Sequence, residues 1–157
     1  MTYNVFEAAR YIIYHEKQSG RYVNNLRLQK LLYFVQAKYL VEKEKPLFEE
    51  RMEAWNFGPV VPKIYRKYQY YGLIYIPCED EFDNFSIRPD DREIIDSMLD
   101  SCSVYATSTL VDIIHGQEPW IQAHQSDNRT ITPLAIYSYF TKKIIWLYSK
   151  VQAIEKG

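Results

Sequence analysis

The chain has 157 residues, the length of a single domain, and it is 47% hydrophobic and 25% charged, which excludes a disordered chain. With five glycines and seven prolines, a fibrous or low-complexity protein is excluded as well. The unusual count is tyrosine: fifteen are present, against seven phenylalanines and three tryptophans. Tyrosine rings pack on one side and hydrogen-bond on the other, so we expect them at the edge of the core or on a binding face.

The net charge is −1, which argues against a protein that binds nucleic acid through its overall charge. The charge is unevenly distributed, because residues 79–118 hold 11 acidic and two basic side chains. Within this block, Glu79, Asp80 and Glu81 are typical of a solvated loop. A docking surface for a basic partner is the alternative interpretation.

Cys78 and Cys102 are the two cysteines, and their separation indicates neither a zinc cluster nor a disulfide framework, so we expect two buried thiols. No stretch approaches the roughly 18 apolar residues of a membrane span, and the first residues do not have the pattern of a signal peptide. The sequence therefore predicts a cytoplasmic protein without a membrane partner.

Two helices are predicted in the first third of the chain. Asn4 and Glu7 have the spacing of a capping box, followed by apolar residues at helical spacing as far as Ser19. A second helix follows Asn24–Asn25 and ends before Pro46, with Lys30 away from its apolar face.

The next segments indicate a short sheet. Residues 52–57 have the pattern of a strand that ends in a turn at Gly58–Pro59, and Val60 to Tyr71 is predicted as a third helix that Gly72 ends. The rigid hydrophobic corner at residues 53–62 is either a packed part of the core or a partner-binding surface. Residues 73–76 and 85–87 are candidate strands for the same small sheet.

Helical spacing returns in the second half. Helices are predicted at residues 90–101 and after Thr107–Ser108, with one more turn at 121–125, and a last helix from Thr132–Pro133 through Ile144 and Leu147 towards Val151. We therefore predict one domain over residues 1–157. Its expected fold class is mainly α (α+β), a compact bundle of about six helices with a small two- or three-stranded antiparallel sheet.

Two groups of residues suggest other chemistry. Asp112, His115, Glu118 and His124 are candidates for a metal-dependent hydrolase site, although their spacing matches no metal motif and structural histidines explain them as well. Lys63, Arg66 and Lys67 alternate with Tyr65, Tyr68, Tyr70 and Tyr71, as in some nucleic-acid-binding segments. On a helix, however, Tyr65 and Tyr68 would pack inward and leave the cations as a solvated edge.

Four segments, in this order along the chain, carry a resemblance to a known family. They are Leu28–Phe34; Glu53–Trp55 with Gly58–Pro62 and Tyr65; His115 with Pro119–Trp120; and Ile131, Ile136 and Tyr139–Phe140. With this set the chain resembles the Panacea antitoxin domain, the SocA-like antitoxin family, over roughly residues 5 to 140.

The resemblance implies a small, mainly helical antitoxin that neutralises a cognate toxin by direct protein contact. Such proteins are frequent in prophages and mobile elements, and this one is expected to be neither an enzyme nor dependent on a cofactor or metal. Whether it forms a homo-oligomer stays open.

The motif residues are expected to form the scaffold: Gln29, Lys30, Tyr33, Phe34, Trp55, Gly58, Pro59, Val60, Tyr65, His115, Pro119 and Trp120. Toxin contact is then expected on residues outside the motifs: Tyr70, Tyr71, Tyr75, Tyr105, Glu79, Asp80 and Glu81.

Overall fold

The computed structural model describes residues 2–142, which form seven α-helices and one three-stranded sheet. In chain order the elements are α1 (Val5–Gln18), α2 (Asn25–Lys43), β1 (Met52–Trp55), β2 (Gly58–Val60), α3 (Pro62–Tyr68), α4 (Pro89–Cys102), α5 (Thr107–His115), α6 (Glu118–His124), β3 (Thr130–Ile131) and α7, which begins at residue 133. The sheet is antiparallel with the order β2-β1-β3. The predicted fold class is confirmed. Within the described residues, no helix combines the length and the apolar character that a membrane crossing needs.

Helix α1 begins as predicted at Asn4, but the predicted capping box is wrong. The Asn4 side chain accepts a hydrogen bond from the backbone N–H of Phe6 at 2.8 Å. Glu7 does not return a bond to Asn4, because its carboxylate accepts from the backbone N–H and the hydroxyl of Ser86. A long-range contact has taken the place of the local one.

Helix α2 lies at the centre of the fold, and thirteen of its 19 residues are buried. It packs against α1, α4, α5 and the strand β2. A helix covered on almost all sides has no solvated face for its polar residues. Lys30 is consequently buried with 0% exposure, and the expectation that it lies away from the packed surface is wrong.

The segment predicted as a turn and a long third helix is a hairpin followed by a shorter helix. Pro59 lies in β2 opposite Ala54, and α3 begins with Pro62. The backbone N–H of Ala54 donates to Arg129 O on the β3 side, so the Ala54–Pro59 pair needs no N–H from proline. A 3-10 turn, Gln69–Tyr71, continues α3, and Gly72 ends it with a φ of 57°, as predicted.

The candidate strands at residues 73–76 and 85–87 are wrong, because neither segment is a strand. The guanidinium of Arg92 donates to the carbonyls of Phe85 and Ile87, which occupies acceptors that a strand ladder would need. The third strand is Thr130–Ile131 instead, paired with Met52 and Glu53 of β1.

The helices of the second half follow the prediction, with one shift. Helix α6 begins at Glu118 and includes Pro119 in its first turn, three residues before the predicted start. Thr132 caps α7 by accepting from the Ala135 N–H at 3.1 Å. The predicted continuation through Ile144, Leu147 and Val151 lies outside the described residues.

The prediction of two buried thiols holds for one of them. Cys102 is buried, and this burial raises the pKa of its thiol to about 11. Cys78 is half-buried in the loop that follows the 3-10 turn.

Candidate partner-binding surface around the hairpin

Two side chains of α2 close the outer edge of strand β2. The Lys30 Nζ donates to the carbonyl oxygen of Pro59 at 2.9 Å, and the Gln29 Oε1 accepts from the backbone N–H of Val61 at 2.8 Å. The Gln29 Nε2 donates in turn to the Asn25 Oδ1 at 2.9 Å. These side chains satisfy backbone groups that a further strand would otherwise pair with, so this edge is protected against strand addition.

Lys30 reaches this position by crossing directly over Gly58. A Cβ atom at residue 58 would lie 2.9 Å from the Lys30 Cε, and Gly58 has a φ of 107° that side chains disfavour. Within the described residues no carboxylate pairs with Lys30, so burial lowers its pKa to about 7. Near neutral pH a large share of the molecules therefore hold Lys30 as a neutral amine that still donates to Pro59.

An aromatic stack from α5 and α6 holds the turn of the hairpin. The Trp120 ring lies between the two histidine rings, 4.2 Å from that of His115 and 4.5 Å from that of His124. The Nε2 of His115 donates to the Asn56 carbonyl at 2.9 Å, and the Nε2 of His124 meets the Asn56 Oδ1 at the same distance. The Trp120 indole N–H donates to the Trp55 carbonyl at 2.9 Å. The three rings together fix the backbone of residues 55 and 56.

The same contacts account for the histidines of the suggested hydrolase site. His115 and His124 both bind the turn, whereas Asp112 and Glu118 are exposed and have no hydrogen bond among residues 2–142. Within that range, no group of three or more His, Cys, Asp or Glu side chains is placed to hold a metal ion. The convergence that the hydrolase alternative requires is therefore not found in the described part of the chain.

The remaining motif residues lie beneath or beside the hairpin. The buried Tyr33 donates its hydroxyl to the Gln117 Oε1 at 2.6 Å, and its ring packs edge-on against Phe34 at 5.3 Å. Half-buried Tyr65 packs edge-on against Trp55 at 5.0 Å. Val60 and Pro119 are both buried.

An apolar groove of about 380 Å³ opens between the hairpin, α2 and α3, and we call it the hairpin groove. Its lining contains no charged side chain, and consists of Asn25, Leu26, Gln29, Trp55, Phe57, Val60, Tyr65, Gln69, Gly72 and Leu73. Phe57 and Leu73 stand out from it, 71% and 80% exposed. Large apolar side chains this exposed beside an apolar groove are typical of a contact surface.

Three exposed tyrosines line a second cavity, of about 450 Å³, and we call them the tyrosine cluster: Tyr22, Tyr75 and Tyr105. The rings of Tyr22 and Tyr75 lie 5.8 Å apart. Arg27 positions the third member by donating to the carbonyl of Tyr105 at 3.0 Å. Sequence reasoning proposed Tyr75 and Tyr105 as contact residues and missed Tyr22, although its position between Gly20 and Asn24 places it in the loop between α1 and α2.

The other two proposed contact tyrosines differ in exposure. Tyr70 is almost fully exposed, while Tyr71 is half-buried and packs on the core. Their rings lie edge to face at 5.4 Å. Phe57 and Leu73 were not among the proposed contact residues. The sequence places the turn at Gly58–Pro59 and Phe57 at the end of the strand, whereas in the structure Asn56 and Phe57 form the turn.

The acidic segment forms the predicted solvated loop, but much of its charge is paired. Asp80 forms an ion pair with Arg10 at 3.3 Å, and Asp83 forms one with Arg92. Glu79 and Glu81 are exposed and have no ion pair within residues 2–142. The anionic surface available to a partner in this loop is therefore smaller than the sequence suggests.

The predicted solvated edge of α3 is confirmed. Tyr68 is buried, and Lys67 lies over its ring at 5.7 Å and over the Phe6 ring at 5.4 Å. Lys63 and Arg66 are exposed, and neither has an ion pair in the described part of the chain. Tyr65 is half-buried and Tyr68 is buried, so these two rings are not free to stack on bases, whereas Tyr70 is exposed.

Comparisons with known proteins match the segment that contains the motif residues. The family model described as "Antitoxin SocA-like, Panacea domain" matches residues 28–121. The chain is also similar to antitoxin SocA of Caulobacter vibrioides (strain NA1000 / CB15N), with 50% identity over 54 residues. These residues are 34% of this chain and 29% of that antitoxin, so the match spans less than a third of the relative. No solved structure matches the chain.

Proposed function

The chain belongs to the SocA-like antitoxin family that carries the Panacea domain, and from this premise we propose that it neutralises a cognate toxin by direct protein–protein contact. The family implies a toxin partner and suggests a role other than catalysis. The direct contact, and the location of the gene beside that of its toxin in a prophage or mobile element, are parts of the proposal.

The observation that carries the proposal is a run of three exposed residues that leads along the chain from the hairpin groove to the tyrosine cluster. Leu73, Ile74 and Tyr75 are consecutive residues, and all three are exposed. The backbone around them is held, since the N–H of Ile76 donates to the Val23 carbonyl at 2.9 Å and the Asn24 side chain donates to the Leu73 carbonyl at 3.4 Å. A fixed backbone that presents apolar and aromatic side chains loses little conformational freedom when a partner binds.

Tyrosine suits such a surface because its ring covers a large area with two rotatable bonds, and tyrosines are enriched among residues that dominate binding energy. The tyrosine cluster, with Tyr70 and Tyr71 beside it, supports contact with a protein more than with a metal or substrate. Glu79 and Glu81 are proposed as a second, weaker contact for basic residues of the toxin.

The test is co-expression with the protein encoded by the adjacent gene. We expect that protein to stop growth alone, and growth to recover when the wild-type chain is co-expressed and co-purifies with it. Tyr75→Asp should abolish recovery and co-purification, because it places a charge in the contact. Tyr75→Phe is the matched control and should keep protection, since it retains the aromatic ring and adds no charge. A neighbour that is harmless alone, or growth recovery without complex formation, would contradict the proposal.

A further inference from the structure

The hairpin groove has apolar walls, and helical spacing places one exposed cation, Arg66, beside them. Its lining has no charged side chain. Helix α3, which contributes Tyr65 and leads into Gln69, contains three basic residues and no acidic one. Arg66 lies next to Tyr65 and three residues before Gln69, so it neighbours the lining on the helix surface. Lys67 lies over the rings of Phe6 and Tyr68, so within residues 2–142 Arg66 remains as the cation without an ion pair beside the groove.

We propose that the hairpin groove receives an apolar side chain of the toxin, presented by a segment that carries acidic residues beside that side chain. This inference rests on the proposed function and specifies where and by what chemistry the toxin is recognised. Its volume of about 380 Å³ is at the low end of ligand-sized cavities, which suits one or two side chains and not a whole helix. Phe57 and Leu73 would lose most of their exposed surface when the groove is occupied.

Arg66 argues for an acidic partner, because Glu53, whose carboxylate accepts from the Trp55 indole N–H, is already paired with Arg51 at 2.9 Å. An exposed cation without an ion pair near an apolar groove attracts an anionic segment and sets its register, and it repels a basic one. Edge-strand pairing is an unsuitable mode here, because Lys30 and Gln29 already occupy the outer edge of β2. This edge, which borders the groove, is therefore closed to a partner strand, and the proposed contact uses side chains in the groove.

The experiment measures growth protection and the dissociation constant for the adjacent-gene protein with the full chain and three groove variants. Phe57→Ala, Leu73→Asp and Arg66→Glu should each raise Kd about tenfold or more, in line with the loss of a central contact. Each changed residue is exposed, so the fold should survive; thermal unfolding checks this. Raising the salt concentration should reduce the difference between wild type and Arg66→Glu.

Matched control variants test whether the loss of binding depends on the position of the changed residue and not on its type. Leu134 on α7 is 73% exposed, so Leu134→Ala matches the truncation at Phe57 and Leu134→Asp matches the charge placed at Leu73. Lys45→Glu reverses an exposed charge just after the last turn of α2, at the end of that helix away from the groove. All three should keep Kd within about twofold of wild type.

The outcomes separate the two proposals. Loss of binding in the groove variants alone supports both. Full protection by the groove variants overturns the groove assignment and leaves the antitoxin proposal standing. A wild-type chain that gives no protection overturns the antitoxin proposal, and the groove assignment with it. Two further results would also overturn the groove assignment: an oligonucleotide retarded at low salt by wild type and not by Arg66→Glu, or a wild-type dimer that Phe57→Ala converts to monomer.

Discussion

Replacing Lys30 with methionine should remove a pH dependence of folding that the wild-type chain carries. The Lys30 side chain has no exposed surface, and its only hydrogen bond within residues 2–142 is to the Pro59 carbonyl. Burial lowers the pKa of Lys30 to about 7, whereas a lysine in the unfolded chain has a pKa of about 10.4. At pH values between these two pKa values, the unfolded chain holds a proton on Lys30 that the folded chain has lost, so the free energy of unfolding rises with pH.

The size of this rise follows from the two pKa values. A difference of one bound proton changes the free energy of unfolding by about 1.4 kcal/mol per pH unit. Because Lys30 is still half protonated at its own pKa, its contribution between pH 7 and pH 9 is about 2 kcal/mol of added wild-type stability. Well below pH 7 both states are protonated, and the unfavourable burial of the ammonium is fully present. The methionine variant leaves the Pro59 carbonyl unpaired, which costs about 1–3 kcal/mol at every pH.

Urea unfolding at several pH values between about 6 and 9 measures the effect. The stability of wild type minus that of Lys30→Met should grow by about 2 kcal/mol between pH 7 and pH 9. Subtracting the stability of the variant from that of wild type cancels the contributions of the other titrating groups. These include buried tyrosines such as Tyr33 and Tyr39, because burial raises their pKa values and they ionise on unfolding near pH 10. Lys17→Met, at an exposed lysine, should leave the profile unchanged. Parallel profiles for wild type and Lys30→Met would refute the reasoning.

Three further predictions concern single side chains. Gly58→Ala should lower the free energy of unfolding by about 2 kcal/mol or more. A shorter side chain at residue 30 should restore only part of that stability, because the φ of 107° at residue 58 remains; urea denaturation of the single and double variants measures both effects. Tyr33→Phe should cost about 1–3 kcal/mol by leaving a buried glutamine oxygen unpaired, and a change within error in urea unfolding would contradict this. Native iodoacetamide labelling near pH 8 should modify Cys78 well before Cys102, whose burial raises its pKa to about 11; equal rates would contradict the assignment.

Local signals in the sequence predicted most helices because each depends on neighbouring residues. The caps at Asn4, Asn24 and Thr132 act within three residues, and the structure contains all three. The errors occur where a distant group competes. The Glu7 carboxylate binds Ser86 instead of its own helix, and Arg92 takes the carbonyls of a segment that has strand composition. Periodicity cannot detect such competition, because the competing group is 79 residues away in the first case.

The sequence predicted which types of residue lie on the surface, but not which of them come together there. An excess of tyrosine outside the motifs predicted exposed rings, and Tyr75 and Tyr105 are exposed. That Tyr22 joins them depends on the contact between residues 23 and 76, which no local pattern encodes. For the acidic segment, the sequence overestimates the free negative charge, because composition does not reveal that Arg10 pairs with Asp80.

The way in which the hairpin is held separates its scaffold from its contact surface. Lys30, His115 and Trp120 donate to main-chain carbonyls at residues 59, 56 and 55, and Gln29 accepts from a main-chain N–H at residue 61. None of these four bonds involves the side chain of Phe57, which lies in the turn between them. A hairpin anchored through its backbone tolerates any side chain at its tip, so Phe57→Ala should change the free energy of unfolding by no more than about 0.5 kcal/mol. The same scaffold could then present different side chains at the hairpin turn to different toxins. A Phe57→Ala variant that unfolds readily would show that the residue at the turn also stabilises the hairpin, so that scaffold and contact surface are not separate.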